Sequence, residues 1–574
     1  MNPPNPVEHL EQILHNVLQE LSPASATPSL QPARDRKFGD IALPCFPLAK
    51  ALQEAPPAIA TRIAEGFTPD DVIEAATATG PFVNFKFRRD ALAKYVIYGI
   101  LESRAPFGPA PATGKSIVID FSSPNIAKPF HMGHLRSTVI GGALRRIHMH
   151  LGSEVHGINH LGDWGSQFGK IMTAFRRWGS DEELAARPMQ HLFEVYVRYG
   201  QEKNEELEAE SAENFRRLES GEDNAERQLW QRLRDVSLAA FQGPYDRLGV
   251  EFDHITGESF YEDKMEAAIA RVTEAGILDE SEGAQVVEFA DNMKMPPCIL
   301  RKSDGTTIYA TRDLAAIFYR KEEYKFDRAL YVVGGEQKLH FEQLKALLRK
   351  MGAPEADTVE HVPFGLILSK NEDTGKWGKF STRSGNAIFL DEVLDKAVAI
   401  VREIIAAKNP DLADTEDVAE KVGVSAIIFN DLKNSRIKDV KFDWEQLLSF
   451  EGETGPYVQY AVARLSGILH KAEASEEIEL ADIDFSLLAD ADQVLLTMLD
   501  FGPTVQRAAA QNEPSVITNQ MIQLAGEIHS YLREHNVIRA DAELKNARLA
   551  LIAAARKLLK LGLRLLGVAA PDRM

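Results

Sequence analysis

The sequence predicts an α/β protein: a parallel-sheet core, with an α+β region before it and an all-α region after it. Three observations carry this. Residues 116–121 and 154–160 are short apolar runs with β-branched residues, and an apolar-periodic helical stretch over 135–152 lies between them, which is a βαβ unit. A second strand-then-helix pattern runs from 329–333 to 341–351. From about 391 to 574 the pattern is helical with few interruptions.

Taken in order, residues 1–112 read as a separate unit. It opens with a helical pattern over 7–21, and residues 80–87 alternate apolar and polar as a half-buried strand does. A Pro/Gly/Ala linker over 105–114 closes it. The parallel-sheet region spans 113–390, with a strongly charged helical insertion near 181–236. The helical region spans 391–574, where Pro410, Pro503 and Pro514 fit turns or first helical positions and residues 452–456 are the sharpest break. Its closing run, 549–566, is amphipathic and carries Arg556, Lys557, Lys560 and Arg564, which suits either a bundle helix with a solvated face or an RNA-facing surface.

Composition narrows the class. At 574 residues the chain needs two to four domains; 44% is hydrophobic and 26% charged, with no long apolar run and no signal-peptide pattern, so a cytoplasmic protein away from membranes is expected. Two cysteines, Cys45 and Cys298, make neither a disulfide framework nor a zinc site. The net charge of −20 argues against loose nucleic-acid binding but leaves room for a specific RNA held on local basic patches.

The chemistry begins at residues 122–134. His131, Gly133 and His134 sit where a loop becomes a helix, after a strand. Such a junction aims free N–H groups at an anion, imidazoles beside it donate to phosphate oxygens, and Gly133 lets a flat ring approach the backbone. Nearby Gly114-Lys115-Ser116 imitates the end of a P-loop, but Pro109 stands where the first glycine belongs and the segment precedes a strand instead of following one. Ligands in parallel sheets bind at the carboxyl ends of strands, where both the His131–His134 and the 334–337 segments fall.

Far downstream lies Lys379-Phe380-Ser381-Thr382-Arg383. His131-Met132-Gly133-His134 resembles the HIGH signature of class I aminoacyl-tRNA synthetases, and this second segment resembles their KMSKS signature. Residues 123–129, 162–169, 309–315, 335–337, 381–386 and the terminal Ala-Pro-Asp-Arg-Met narrow the likeness. Over nearly its whole length the chain resembles an arginyl-tRNA synthetase.

The resemblance implies a Rossmann-like catalytic domain between an α+β tRNA-contacting domain and an all-α anticodon-binding domain. It implies ATP as substrate, Mg²⁺ with the ATP, and L-arginine and tRNA(Arg) as partners, with nothing demanding more than a monomer. His131, Gly133, His134, Lys379, Ser381 and Arg383 would bind ATP, with His131, His134, Lys128 and Lys379 catalytic. Asn125, Glu258, Tyr309, Asp313 and Gln337 would hold arginine, and Tyr457, Tyr460 and Arg464 would meet tRNA. No metal ligand is expected in the protein. A guanidinium carries five in-plane donors and a fixed charge, so carboxylates and amide or phenol oxygens suit it. Tyr309 and Asp313, four apart at a helix start, can share a face.

The departures matter. Thr382 stands where the second signature has its second lysine. Lys128, just before the histidines, is placed to supply that missing charge. Phe380 replaces a methionine, and Ser384 replaces a common lysine. The family also implies that arginine activation can require bound tRNA. Three rivals are a small nucleotidylyltransferase, another class I synthetase and a non-catalytic paralogue. The long helical tail opposes the first, residues 309–313 with the N-terminal region oppose the second, and retention of His131, His134 and Lys379 opposes the third.

Overall fold

Residues 3–21, 28–102, 107, 114–290, 294–370, 375–379, 389–473 and 478–574 are described by the computed structural model. The N-terminal unit opens with helix Pro6–Leu21, whose Leu10, Leu14 and Leu18 recur every fourth residue and are all buried. Strands β1 (Gln31–Pro32), β2 (Ile41–Pro44), β3 (Ile73–Thr79) and β4 (Phe82–Phe87) form an antiparallel sheet in the order β1-β2-β4-β3. Asn84 interrupts the expected alternation of β4: it is buried, with its Nδ2 donating to the Thr77 carbonyl.

The central sheet contains β5 (Ser116–Asp120), β6 (Glu154–Asn159) and β7 (His254–Ile255). A side sheet of β8 (Asp279–Ser281), β9 (Ala284–Val287) and β10 (Cys298–Arg301) branches off before β11 (Arg328–Tyr331) and β12 (Val359–His361) return to the centre. The central order is β12-β11-β5-β6-β7, and every pair is parallel. Strand order therefore reverses between β5 and β11, the kind of switch point outside whose carboxyl ends ligands bind in such sheets. Ile117 and Ile119 join the apolar cluster on one side of the sheet, while Val118 joins the cluster on the other. Alternation of side chains across a strand covered on both faces produces this split.

Helix Met132–His150 crosses from β5 to β6. It starts three residues earlier than apolar spacing predicts, because polar caps rather than apolar contacts set its first turn. Helix Lys338–Lys350 likewise starts early, continuing the 3₁₀ turn Gly335–Gln337. Between β6 and β7 come Gln167–Trp178, Asp181–Ala186, Pro188–Gln201, Glu205–Glu219 and Ala225–Leu248.

A third sheet joins β13 (Ile367–Lys370), β14 (Trp377–Lys379) and β15 (Val440–Lys441) in the order β14-β13-β15. Residues 391–574 are otherwise helical where described, from Leu390–Lys408 and Thr415–Leu432 through Gly455–Lys471 and Ser515–Glu534 to Ala542–Leu566. Part of the basic face of the last helix is matched within the chain: Arg556 and Lys560 both pair with Asp572, and against the upward push of burial the hydrogen bonds from Arg556, Ser466 and Lys560 bring its carboxyl down to about 2. No helix among the described residues is long and apolar enough to cross a membrane.

Candidate active site

The loop from β5 to the first histidine is held in an unusual backbone. Ser122, Ser123 and Ala127 have φ of 71°, 50° and 56°, the left-handed region. Each such residue costs about 1–3 kcal/mol, so the surroundings must impose it. Ser122 N–H donates to Ser137 Oγ at 2.8 Å, and Ala127 N–H donates to Ser237 Oγ at 2.9 Å. Asn125 bridges Gly162 in parallel, tying this loop to the end of β6.

His131 is the N-cap of the helix. Gly133 N–H donates to its Nδ1 at 2.9 Å, and His131 N–H donates to Nδ1 of His134 at 3.3 Å. The rings stack with centroids 4.1 Å apart. A Cβ on Gly133 would lie 2.6 Å from Cε1 of His131, so the ring that needs this glycine is the cap itself. Burial, aided by the Lys128 charge, lowers the pKa of both rings. The rings are therefore neutral. With each Nδ1 accepting, the ring proton sits on Nε2, which leaves two N–H donors for a ligand.

Lys128 Nζ donates to Gln167 Oε1 at 3.1 Å and lies 5.7 Å from the Tyr196 ring centroid. Burial lowers its pKa. Its charge is felt at both histidines.

The second signature meets the first through its flanks. Lys379 ends β14, and Phe389 forms an antiparallel bridge with His131 while Leu390 N–H donates to the Phe130 carbonyl at 2.9 Å. The Lys379 side chain, and Ser381 and Arg383 altogether, lie outside the described residues.

Asp313 lies on helix Tyr309–Tyr324, and its Oδ2 is 2.5 Å from Nε2 of His340. Burial pushes the Asp313 carboxyl up, but the His340 hydrogen bond and neighbouring positive groups bring it below the usual range. Glu258 opens the 3₁₀ turn Glu258–Lys264 and is buried. Burial raises its pKa to about 7; Arg312 opposes this, while Asp163 and Asp313 add to it. Asp163 is already matched by Arg234 at 3.1 Å and by Ser259 N–H at 2.8 Å. Glu262 is matched by Arg312 at 3.1 Å. Among the described residues Glu258 forms no ion pair within 4 Å, and Arg312 acts on it only at longer range. Tyr309 is 69% exposed at the helix start, and Gln337 is exposed on the turn after β11.

Tyr457, Tyr460 and Arg464 converge on a residue that sequence reading missed. His529 is 5.0 Å from the Tyr457 ring, stacks 5.8 Å from Tyr460, and its Nδ1 lies 3.2 Å from Nη1 of Arg464. It comes from helix Ser515–Glu534, and no local pattern links it to the other three. His340 was missed in the same way, a lone histidine in an amphipathic helix.

A parallel sheet with a paired-histidine helix start at its switch point is the arrangement of a nucleotide-binding catalytic domain. A family model for the catalytic domain of class I tRNA synthetases (R) matches residues 97–444. Models for the arginyl-tRNA synthetase N-terminal domain and the DALR anticodon-binding domain match 8–87 and 458–574. The arginine–tRNA ligase of Exiguobacterium sibiricum is 45% identical over 98% of this chain and 99% of its own. That of Lactiplantibacillus plantarum is 46% identical over 97% and 98%. The Thermus thermophilus arginyl-tRNA synthetase superposes with a TM-score of 0.84 at 28% identity, covering 99% of this chain and 100% of that one. The chain belongs to the arginyl-tRNA synthetase family.

Proposed function

We propose how the residues above divide the work of an arginine–tRNA ligase. In the first step a carboxylate oxygen of arginine attacks the α-phosphorus of ATP. The bond to the β-phosphate breaks, pyrophosphate leaves, and arginyl-adenylate remains. In the second step the 2′-hydroxyl of the terminal adenosine of tRNA(Arg) attacks the adenylate carbonyl. An ester forms, the hydroxyl proton is released, and AMP leaves with the bonding pair.

Neither step needs a protein nucleophile; positioning and charge stabilisation suffice. His131 and His134 donate Nε2–H to phosphate oxygens, and Lys128 adds positive charge beside them. Lys379, Ser381 and Arg383 hold the distal phosphates, and Gly133 leaves the helix start open to the nucleotide. Mg²⁺ arrives as part of the ATP substrate, on phosphate oxygens and water. Asp313 and Tyr309 take the guanidinium, Glu258 takes a cationic group of the substrate, and Asn125 and Gln337 orient the remaining polar groups. Tyr457, Tyr460 and Arg464 meet the tRNA. We assign residues 1–112 to tRNA contact, 113–390 with its insertion near 181–236 to catalysis, and 391–574 to the anticodon. The enzyme acts as a cytoplasmic monomer.

The observation that carries this division is the capping by the paired histidines: both Nδ1 atoms accept backbone N–H groups, which leaves both Nε2 atoms to serve the ligand. The test is charging of tRNA(Arg) with labelled arginine. Charging is expected with a 3′-deoxy terminal adenosine and not with a 2′-deoxy one. Equal charging of both overturns the 2′ assignment.

A further inference from the structure

Arg136, two residues beyond His134, is 1% exposed, and Asp431, on helix Thr415–Leu432, is 2% exposed; Nε and Oδ1 lie 2.8 Å apart. Nη1 of Arg136 also donates to the Lys438 carbonyl at 2.8 Å, and its guanidinium lies 5.8 Å from the Phe364 ring centroid. One side chain from the first-signature helix therefore holds the turn that precedes β15. The Asp431 carboxylate oxygens make no aligned hydrogen bond with it, and burial raises the Asp431 pKa against the pull of Arg136. Such a pair contributes little net stability relative to apolar groups of the same volume, so its presence points to geometry.

The turn leads straight to the second signature. Gly365 N–H donates to the Arg436 carbonyl and Leu366 N–H donates to Asp439 Oδ1. A Cβ on Gly365 would sit 2.7 Å from the Lys438 carbonyl oxygen, so the two segments are in close contact. Three residues beyond Lys438, Lys441 pairs with Leu368, and Leu368 pairs on its other side with Lys379. Lys379, Leu368 and Lys441 form one row across the third sheet.

We propose that Arg136 is a positioning residue that fixes the strand carrying Lys379 relative to the helix carrying His131 and His134. Its guanidinium pairs with Asp431 at Nε and donates to the Lys438 carbonyl from Nη1, two separated contacts that the single ammonium of a lysine does not reproduce. Adenylate formation needs both signatures on one triphosphate, so a shift between them lowers turnover while arginine still binds. The proposal rests on the assignment of Lys379 to the phosphates.

The test compares Arg136→Lys, the double variant Arg136→Met/Asp431→Leu, and Lys379→Ala in full-length enzyme. Melting temperature and the kcat and KM of arginine-dependent ATP–pyrophosphate exchange are measured with tRNA present. The double variant is expected to melt with the native enzyme yet lose tenfold or more in kcat, with arginine KM within twofold. Arg136→Lys is expected to show a smaller loss with the same split. If the double variant does not fold, Arg136→Lys decides. Native kcat in a folded Arg136 variant, with Lys379→Ala inactive, overturns the positioning role alone. Native exchange in Lys379→Ala overturns the phosphate assignment and the proposal with it.

Discussion

His131 and His134 cap the same helix reciprocally, each ring accepting a backbone N–H at Nδ1 while stacked 4.1 Å from the other. Capping uses Nδ1 of each ring and leaves Nε2 for the proposed contact with phosphate, so substitutions can separate the two roles. Asparagine at 131 and glutamine at 134 retain capping oxygens. Each is expected to keep the melting temperature within a few degrees while kcat for exchange falls about 10²–10³-fold, the loss typical of one oxyanion donor. Alanine at 131 should also cost about 1 kcal/mol of stability. Thermal melts beside exchange kinetics check both.

Lys128 stands between the histidines and Gln167. If it supplies the charge that Thr382 does not, Lys128→Ala should lower exchange kcat by about 100-fold. Lys128→Arg, which keeps the charge, should retain more activity than alanine. Near-native adenylation by Lys128→Ala would remove the residue from the mechanism.

The proposed role of Glu258 gives the expected pH dependence its sign. Its carboxyl titrates at about 7, held up by burial, and the anion is the form that attracts a cationic substrate. Arginine KM should therefore rise as pH falls below about 7, and Glu258→Gln should flatten that rise while raising KM at pH 8. Stability runs the other way. Between the ordinary value of 4.5 and about 7, the folded chain keeps a proton that the unfolded chain has released, so folding weakens as pH rises through that window. Glu258→Gln should accordingly melt higher than the native enzyme at pH 8.

Asp313 should govern selectivity. A charge-assisted hydrogen bond contributes about 1.5–3 kcal/mol, so Asp313→Asn should raise arginine KM by about 10–100-fold. Discrimination against citrulline should fall with it. Steady-state kinetics with both amino acids measure this.

Tyr460 is 47% exposed beside His529. An aromatic face in that setting suits base stacking, which contributes about 1–3 kcal/mol per base. Tyr460→Ala should raise the KM for tRNA by about tenfold or more and leave the KM for ATP and arginine unchanged.

Much of this architecture was legible in the sequence for a physical reason. The strands at 116–120, 154–159 and 328–331 are short apolar runs between turn formers, and the junction at 131–134 joins strand to helix. Such local signals are what periodicity and capping rules read. What stayed hidden depends on residues distant in sequence. Arg136 and Asp431 are each ordinary charged residues in helical stretches, and only the packed fold buries them together. His340 and His529 acquire partners from other helices. The early start of helix Met132–His150 escaped because histidine is not a usual cap, and the two rings act together. The three left-handed residues before it are serine, serine and alanine, none of which announces that backbone.

The most direct test of the account is arginine-dependent ATP–pyrophosphate exchange with and without tRNA(Arg), against lysine and citrulline. The account predicts exchange with arginine when tRNA is present and none with the other two amino acids, and activity without tRNA would separate tRNA from the activation step. No exchange with arginine under either condition would contradict it.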